Sequence, residues 1–257
     1  MKKYLISLDK DSHRRELFFA QPDTQDFHVF SAINTMAETD EKLTALFDAD
    51  RFAQRYGRAV TKGEIGCTLS HLAVYRLIEQ DNTIAENEYC LICEDDALFA
   101  PDFQPNLDCI LRQRLGTEII LIGQSKIPAF HHWELEINYP TTFACLCKPL
   151  AGSQRRYAYP YRNYFAGTVA YLIKKSALKA FLAPQYARPF WLADDYILFG
   201  DAFKLAVGVI RPLLVIENPA LTSNLETLRG SLQHNIWQKL IKYPAKKVLA
   251  VKRNLGK

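Results

Sequence analysis

The sequence predicts an α/β sandwich, a sheet covered by helices on both faces. Strand-like and helix-like segments alternate along the 257 residues, as is typical of sheets whose strands are joined by helical crossovers. The segment Tyr89–Cys93 has no charged residue, as expected of a strand buried on both faces. The sequence has no internal repeat and no Gly/Ser-rich linker, so one domain is the simplest organisation.

The N-terminal elements follow from short apolar runs. Tyr4 to Leu8 predicts the first strand, and a helix then starts with Asp11 or Ser12 as its cap. Loose alternation over residues 27–33 predicts a second strand. Residues 38–56 have the spacing of a helix, with apolar side chains three and four positions apart.

The middle of the chain contains the longest predicted helix and two buried strands. Gly63–Gly66 interrupts the preceding helical pattern, and apolar residues at helical spacing resume from Leu69. The buried strand at residues 89–93 comes next. Residues 103–115 then predict a helix, and residues 118–123 predict a second buried strand.

The C-terminal part begins with an irregular stretch. Residues 124–162 contain four prolines and many aromatic residues, which predicts long functional loops with short strands. A strand at 165–173, a helix at 174–182 and a helix at 194–203 follow, with one or two strands between residues 207 and 217.

Three consecutive carboxylates follow the buried strand: Glu94, Asp95 and Asp96. In open α/β sheets, ligands bind in the crevice beyond the carboxyl ends of the strands. Carboxylates there are suited to a hard divalent cation and, with it, a diphosphate. This position predicts an enzyme that uses a nucleotide. The alternative is that the acids cap a helix or face solvent.

Two further segments carry candidate functional groups. Glu64, Ser70 and His71 lie near the predicted start of a helix, where backbone N–H groups favour phosphate. An ordinary first-turn acid and a buried histidine are the structural alternatives. Asp194 and Asp195 follow an apolar run and supply either a general base or a helix cap.

Positive charge is concentrated at the C-terminus. The chain has a net charge of +4, yet residues 235–257 contain seven cations and no acid, which leaves −3 for residues 1–234. Apolar residues lie between these cations, as in an amphipathic helix on a membrane surface, with Pro244 expected to interrupt it. A disordered basic terminus is the alternative. We therefore divide the chain into a domain at 1–234 and a basic membrane-associating segment at 235–257.

Other features of the sequence predict a cytoplasmic protein. The first apolar run is too short for the core of a signal peptide, and no run reaches the ~18 residues of a membrane-spanning helix. The six cysteines lack convincing zinc-site spacing, and free thiols are expected. Cys90 and Cys93 are expected to point to opposite faces of their strand. No nucleic-acid-binding module is recognisable.

Several motifs together resemble glycosyltransferase family 25, which includes bacterial lipooligosaccharide galactosyltransferases. The matching motifs are Tyr4-Leu5-Ile6-Ser7-Leu8 with Arg14-Arg15, Gly63-Glu64-Ile65-Gly66-Cys67-Thr68-Leu69-Ser70-His71, Glu94-Asp95-Asp96, Gly167-Thr168 with Ala170-Tyr171, and Asp194-Asp195. They occur in the family's order over residues 3–225. The block at 63–71 is the most specific of them.

The resemblance implies a GT-A-type, Rossmann-like sandwich with a mainly parallel mixed sheet that binds a UDP-sugar with Mn²⁺ or Mg²⁺. It implies metal ligation by Asp96 and Glu94, where Glu94 departs from the family's Asp-x-Asp element at its first position. Asp194 or Asp195 would be the base. The implied donor-binding residues are Ser7, Arg14, Arg15, Glu64, Ser70, His71, Glu94, Asp95, Gly167 and Thr168.

The activity implied by the resemblance is that of an inverting β-1,4-galactosyltransferase-like enzyme. It would transfer galactose or glucose to a lipooligosaccharide or lipopolysaccharide core, at the cytoplasmic face of the inner membrane. One alternative is a glycoside hydrolase that uses a pair of carboxylates. The other is a non-catalytic protein that binds sugar or lipid.

Overall fold

The computed structural model describes residues 1–113, 115–221 and 236–256. The predicted boundary between residues 234 and 235 lies outside the described residues. The strands are β1 (Lys3–Ser7), β2 (Phe27–Ser31), β3 (Tyr89–Glu94), β4 (Ala97–Phe99), β5 (Ile119–Leu121), β6 (Gly123–Gln124), β7 (Lys148–Pro149), β8 (Arg156–Ala158), β9 (Ala170–Lys174), β10 (Val207–Arg211) and β11 (Val215–Glu217).

Helices connect and cover these strands. They are α1 (Ser12–Phe19), α2 (Asp40–Leu46), α3 (Ala49–Tyr56), α4 (Lys62–Gln80), α5 (Phe103–Arg112), α6 (Trp133–Asn138), α7 (Lys175–Phe181), α8 (Tyr196–Asp201) and α9 (Ile236–Asn254). Short 3₁₀ turns occur at Ala144–Leu146 and Pro184–Tyr186.

The main sheet has eight strands in the order β2-β1-β3-β9-β5-β10-β8-β7. Strands β8 and β9 run opposite to the other six, so the sheet is mixed, with three parallel and four antiparallel strand pairs among the described residues. A second sheet of three strands has the order β4-β11-β6. The predicted α/β sandwich is confirmed.

Strand β3 lies between the two apolar layers of the sandwich. Cys90 and Ile92 pack into the layer that includes side chains of α4 and α7, whereas Leu91 and Cys93 pack into the layer that includes α5. Cys90 and Cys93 therefore point to opposite faces, as predicted, and both are free thiols. Burial on both faces explains why this strand has an uninterrupted apolar sequence.

The single helical stretch predicted at residues 38–56 is two helices. Phe47 has an extended backbone and a fully buried ring, and the chain turns there between α2 and α3. The Asp48 side chain then accepts a hydrogen bond from the Arg51 N–H and caps α3. Burial of the Phe47 ring and the Asp48 cap together stabilise the chain more than the backbone hydrogen bonds of one continuous helix would.

The glycine-containing segment at 63–66 does not interrupt a helix, contrary to the sequence prediction. Helix α4 starts at Lys62, and Thr61 and Glu64 form a capping box across its first turn. A Cβ at Gly66 would lie 2.7 Å from both the Ile33 carbonyl oxygen and the Thr35 hydroxyl. Gly66 therefore permits close packing of α4 against the chain that follows β2.

Candidate active site

The candidate active site lies where β1 and β3 end and β9 begins. Because β9 runs antiparallel to β3, with Ala170 opposite Cys93, the residues just before β9 lie beside Glu94. The backbone N–H of Glu94 donates to the Val169 carbonyl oxygen over 3.1 Å. Ser7, the carboxylate triplet and Thr168 thus come together from distant parts of the sequence.

Arg14 joins two of the three carboxylates. Its Nε donates to Asp95 Oδ1 over 2.6 Å, and its Nη2 donates to Asp96 Oδ2 over 2.8 Å. The Ser7 hydroxyl donates to the other oxygen of Asp95 over 2.7 Å. Arg15 donates to Ser7 Oγ and to the Leu8 and Asp9 carbonyl oxygens, so it holds the loop after β1. Both arginines therefore bind protein groups.

Asp96 has an unsatisfied oxygen. Its Oδ1 is buried and has no hydrogen-bond partner among the described residues, although Oδ2 binds Arg14. Burial and the neighbouring charges of Glu94 and Glu217 raise the pKa of Asp96 well above its ordinary value, and Arg14 opposes that rise only in part. A buried carboxylate oxygen without a donor is a strong reason to look for a ligand.

Glu94 belongs to a second group of contacts on the α4 side of the site. Its Oε1 accepts a hydrogen bond from the Thr168 hydroxyl and lies 3.4 Å from His71 Nε2 and 3.8 Å from Cys67 Sγ. Burial favours a higher pKa for Glu94, but hydrogen bonds from His71 and Thr168 and the Arg14 charge lower it overall. Glu94 is therefore held as an anion.

His71 is oriented by a buried tyrosine. Its Nδ1 lies 2.7 Å from the Tyr171 hydroxyl, which in turn lies 2.7 Å from the Tyr75 hydroxyl. The ligating atoms of Cys67, His71 and Glu94 all lie within 4.8 Å of one another. Such mixed sulfur, nitrogen and oxygen donors suit softer ions than the carboxylates alone.

Glu64 and Ser70 contribute to the structure of α4. Glu64 is buried, accepts hydrogen bonds from both terminal nitrogens of Arg58 over 2.9 and 2.6 Å, and completes the capping box with Thr61. Ser70 donates to the Gly66 carbonyl oxygen and accepts from the Ile33 N–H. These contacts correspond to the structural alternatives, and the donor-binding role of both residues stays a prediction.

The two adjacent aspartates have different surroundings. Asp195 is completely buried, caps α8 through the Leu198 N–H, and accepts from Arg55 Nε and the Tyr56 hydroxyl, each over 2.6 Å. Asp194 is partly exposed, and its Oδ2 accepts from the Gly167 N–H over 3.1 Å. Only Asp194 has both solvent access and a contact with the loop that contains Thr168.

A model of glycosyltransferase family 25, described as an LPS biosynthesis protein, matches residues 1–198. The chain belongs to glycosyltransferase family 25. It is 30% identical over 135 residues to a glycosyltransferase 25 family member of Aedes aegypti, a match that covers 48% of this chain. The match spans 21% of the mosquito protein, so this chain corresponds to about a fifth of that relative's length.

Solved structures that are similar to this family 25 chain are transferases of low identity. The inositol-1-phosphate CTP transferase of T. maritima is 13% identical with a TM-score of 0.39, covering 88% of this chain and 94% of the other. The galactosyltransferase LgtC, in complex with donor and acceptor sugar analogs, is 13% identical with a TM-score of 0.29, covering 68% and 58%.

The family 25 motifs do not reveal every residue of the site. Cys67 lies inside the 63–71 block, yet its thiol was not predicted to face Glu94. Helical geometry provides the signal, because Cys67 and His71 are four residues apart and so share one face of α4. Tyr171 and Tyr75 were missed because each has the apolar neighbours of an ordinary core residue.

Gly167 is expected to tolerate no side chain. Its φ of +73° is left-handed, and a Cβ would lie 2.0 Å from Ser125 Oγ. We expect Gly167→Ala to lower the free energy of unfolding by about 1 kcal/mol for backbone strain, with a further loss from the clash. Denaturant unfolding of Gly57→Ala is the matched control, because Gly57 has a φ of +68° and nothing within 4 Å of its Cβ position. Equal losses in the two variants would contradict the clash.

Proposed function

We propose that this family 25 protein transfers galactose or glucose from a UDP-sugar to a hydroxyl group of a lipooligosaccharide or lipopolysaccharide core, with inversion at the anomeric carbon. The observation that carries the proposal is the unsatisfied, buried Asp96 oxygen, which lies in a carboxylate cluster at the carboxyl ends of β1 and β3. Ligand crevices of open α/β sheets occur at such ends. Family membership favours transfer over the hydrolase and the non-catalytic alternatives.

The carboxylates fit a divalent cation such as Mn²⁺ or Mg²⁺. Asp96 offers an oxygen that has no partner within residues 1–113, 115–221 and 236–256, and Glu94 offers an anionic, partly exposed carboxylate nearby. Hard oxygen donors of this kind are the ligands that these ions prefer. When bound, the ion would stabilise negative charge on the departing diphosphate. We assign Asp96 and Glu94 as its ligands.

Asp194 is the proposed base of the single displacement. The acceptor hydroxyl loses its proton to an Asp194 oxygen as its own oxygen forms a bond to the anomeric carbon. The bond from that carbon to the UDP oxygen breaks, and UDP departs with the electron pair. The Gly167 N–H holds Asp194 in place, and the adjacent Thr168 binds Glu94. One loop therefore contacts both the proposed base, Asp194, and a proposed metal ligand, Glu94.

Arg14 and Arg15 are proposed to assist donor binding with Ser7, Asp95, His71 and the Gly167–Thr168 loop. Burial raises the pKa of Asp95, and the Arg14 charge and the Ser7 hydroxyl, which both contact this carboxylate, offset that rise only in part. A nucleotide diphosphate that enters with a divalent cation would supply new partners for these groups.

The test is thermal unfolding with a panel of nucleotide sugars, each with and without Mn²⁺ or Mg²⁺. A ligand at 100 times its dissociation constant stabilises the fold by about 2.7 kcal/mol. We expect a rise in Tm with a UDP-hexose plus the metal ion, and a larger rise for the true hexose. A uniform absence of shifts across the panel would contradict the proposal.

The C-terminal helix bears on the proposed membrane association. Helix α9 runs continuously through Pro244, contrary to the predicted interruption. Four of its cations bind groups of the protein body rather than facing outward: Lys239 binds Glu134, Lys246 binds the Asn138 carbonyl oxygen, Lys247 binds Glu136 and Arg253 binds Asn163. No helix among the described residues is long and apolar enough to cross a bilayer.

The outward face of α9 supports a peripheral contact with the cytoplasmic face of the inner membrane. Ile241 and Val248 of α9 are 79% and 68% exposed and lie seven residues apart, and Leu255, directly after the helix, is 59% exposed. Lys242 and Lys252 are exposed near them. Apolar side chains with flanking cations favour a surface that has anionic head groups over an apolar interior.

Binding to vesicles tests this contact. We expect a double Ile241→Ser, Val248→Ser variant to bind vesicles containing phosphatidylglycerol at least about tenfold more weakly, because each buried aliphatic side chain contributes about 1.5–3 kcal/mol. The matched control is Leu46→Ser with Leu77→Ser, which removes two exposed leucines elsewhere. Co-sedimentation measures both. Equal binding of the two double variants would rule out this helix face.

A further inference from the structure

A groove of about 440 Å³ lies between α6, β8, β10 and α9. Its walls include Trp133 of α6, Arg156 of β8, Arg211 of β10 and Lys247 of α9. The donor-binding assignments above do not use any of these residues. The volume is within the range of ordinary small-molecule sites.

The groove is electropositive. Arg156, Arg211 and Lys247 contribute three fixed positive charges, and Glu136 is the acid among its described lining residues. Lys247 is already paired with Glu136 over 2.6 Å, which leaves the two arginines in excess. Arg156 is exposed, whereas Arg211 is half-buried. An anion would compensate this charge.

Three buried polar atoms of the groove lining have no hydrogen-bond partner within the part of the chain that the structure describes. They are Arg211 Nε, Thr142 Oγ1 and His132 Nδ1. Thr142 is 3% exposed. The Arg211 Nε–H can only donate, and the other two groups can also donate. An acceptor oxygen is therefore the partner that each of these three groups lacks, and each is costly to leave unpaired.

Hydrogen bonds through Tyr164 relate the groove to the chain segment that contacts Asp194. Arg211 Nη2 donates to the Tyr164 hydroxyl over 2.8 Å, and that hydroxyl donates to Gln124 Oε1 over 3.1 Å. Three residues after Tyr164, the Gly167 N–H binds Asp194. Tyr139 stacks on Tyr164 with ring centroids 3.9 Å apart. The segment that contains Tyr164 and Gly167 thus contacts Arg211 of the groove and also holds the proposed base.

An exposed aromatic ring borders the same groove. Trp133 is 55% exposed and stacks against His132 with their ring centroids 6.0 Å apart. A flat apolar surface beside cations matches a ligand that has both an apolar face and a charged group, as a sugar acid or a sugar phosphate does.

We propose that this groove is an acceptor subsite that binds an anionic sugar through its phosphate or carboxylate group. The inference rests on the proposed function and adds a chemical class to its acceptor. Arg156 and Arg211 pair with the anion, and the Thr142 hydroxyl donates to one of its oxygens. Trp133 lies against the sugar ring. A hydroxyl elsewhere on the acceptor then extends toward Asp194.

Calorimetric binding of three probes, glucose, glucose 6-phosphate and glucuronate, tests the subsite. The titrations include saturating UDP and Mn²⁺, so that phosphate does not bind at the donor site. We expect both anionic probes, or one of them, to bind at least about tenfold more tightly than glucose. Preference for one probe identifies phosphate or carboxylate as the recognised group. Equal affinity for glucose and both anions would overturn the inference.

Two variants assign the binding to the groove. Arg156→Gln removes an exposed charge and should weaken the preferred probe at least about tenfold. Thr142→Val removes a hydroxyl that has no partner, so it should weaken the probe while the unliganded protein keeps its Tm or gains stability. Arg76→Gln, which changes the same charge on the exposed face of α4, is the control and should bind normally.

The outcome is separable from that of the proposed function. Suppose that UDP-hexose and Mn²⁺ still raise the Tm, but Arg156→Gln and Thr142→Val bind the probes normally. This result would overturn the subsite and leave the transferase proposal intact. Loss of the UDP-dependent shift in the unmodified protein would remove the transferase proposal, whatever the probes show.

Discussion

Asp194→Asn is expected to lower kcat by about 10²–10⁴-fold without a comparable change in stability or in UDP-sugar affinity. Asparagine keeps an oxygen that can accept from the Gly167 N–H, so the loop before β9 should hold its position. It cannot take a proton from the acceptor hydroxyl. The expected loss is therefore confined to the chemical step.

Steady-state kinetics with UDP-hexose and the acceptor measures this effect, and Asp195→Asn is the matched control. Asp195 is buried with Arg55, Tyr56 and the Leu198 N–H as partners, so its loss of charge should lower the free energy of unfolding by about 2 kcal/mol. The expected loss is smaller than for a fully buried ion pair, because 30% of the Arg55 side chain is exposed and solvent screens its charge. A stable Asp195→Asn with no turnover, beside an active Asp194→Asn, would reverse the assignment.

The sequence places the carboxylate cluster correctly because the information is local. The apolar run of β3 ends at Glu94. Because the strand itself is buried on both faces, the acids that follow it lie at its carboxyl end. Ser7 and Thr168 could be placed beside it from the expected fold. Within the triplet, Arg14 binds both Asp95 and Asp96. This pairing depends on a turn that the local sequence does not specify.

Residue roles were harder to predict where long-range contacts decide them. Asp194 and Asp195 are equivalent by type and position. Long-range contacts separate them, because Arg55 and Tyr56 of α3 reach Asp195 across about 140 positions of sequence, whereas Gly167 contacts Asp194. The sequence predicts that Gly66 lies in an interruption of the helical pattern, because glycine often ends a helix. The structure uses it for close packing against Ile33 instead.

The Asp96→Asn variant is expected to lose metal-dependent stabilisation by UDP-sugar and, unusually for a buried position, to unfold at a higher Tm than the unmodified protein without ligand. Glu94, Asp95 and Glu217 place negative charge around Asp96, and Arg14 is its one cationic hydrogen-bond partner among the described residues. Asparagine relieves the repulsion, and Arg14 keeps Asp95. Residues that serve a ligand often cost stability in this way.

The difference in stability between Asp96→Asn and the unmodified protein should depend on pH if the Asp96 charge causes it, and should not if packing causes it. Folding raises the pKa of Asp96 to about 8, so above the ordinary aspartate value of about 4 the unfolded chain loses a proton that the folded protein keeps. The free energy of unfolding therefore falls as pH rises from about 4 to about 8. The gain from Asp96→Asn should therefore be absent below about pH 4 and grow toward neutrality. Asp108→Asn on exposed α5 is the control, with no expected gain and a normal metal-dependent shift. A metal-free Asp96→Asn protein that is less stable at neutral pH would make Asp96 a structural partner of Arg14 rather than a metal ligand.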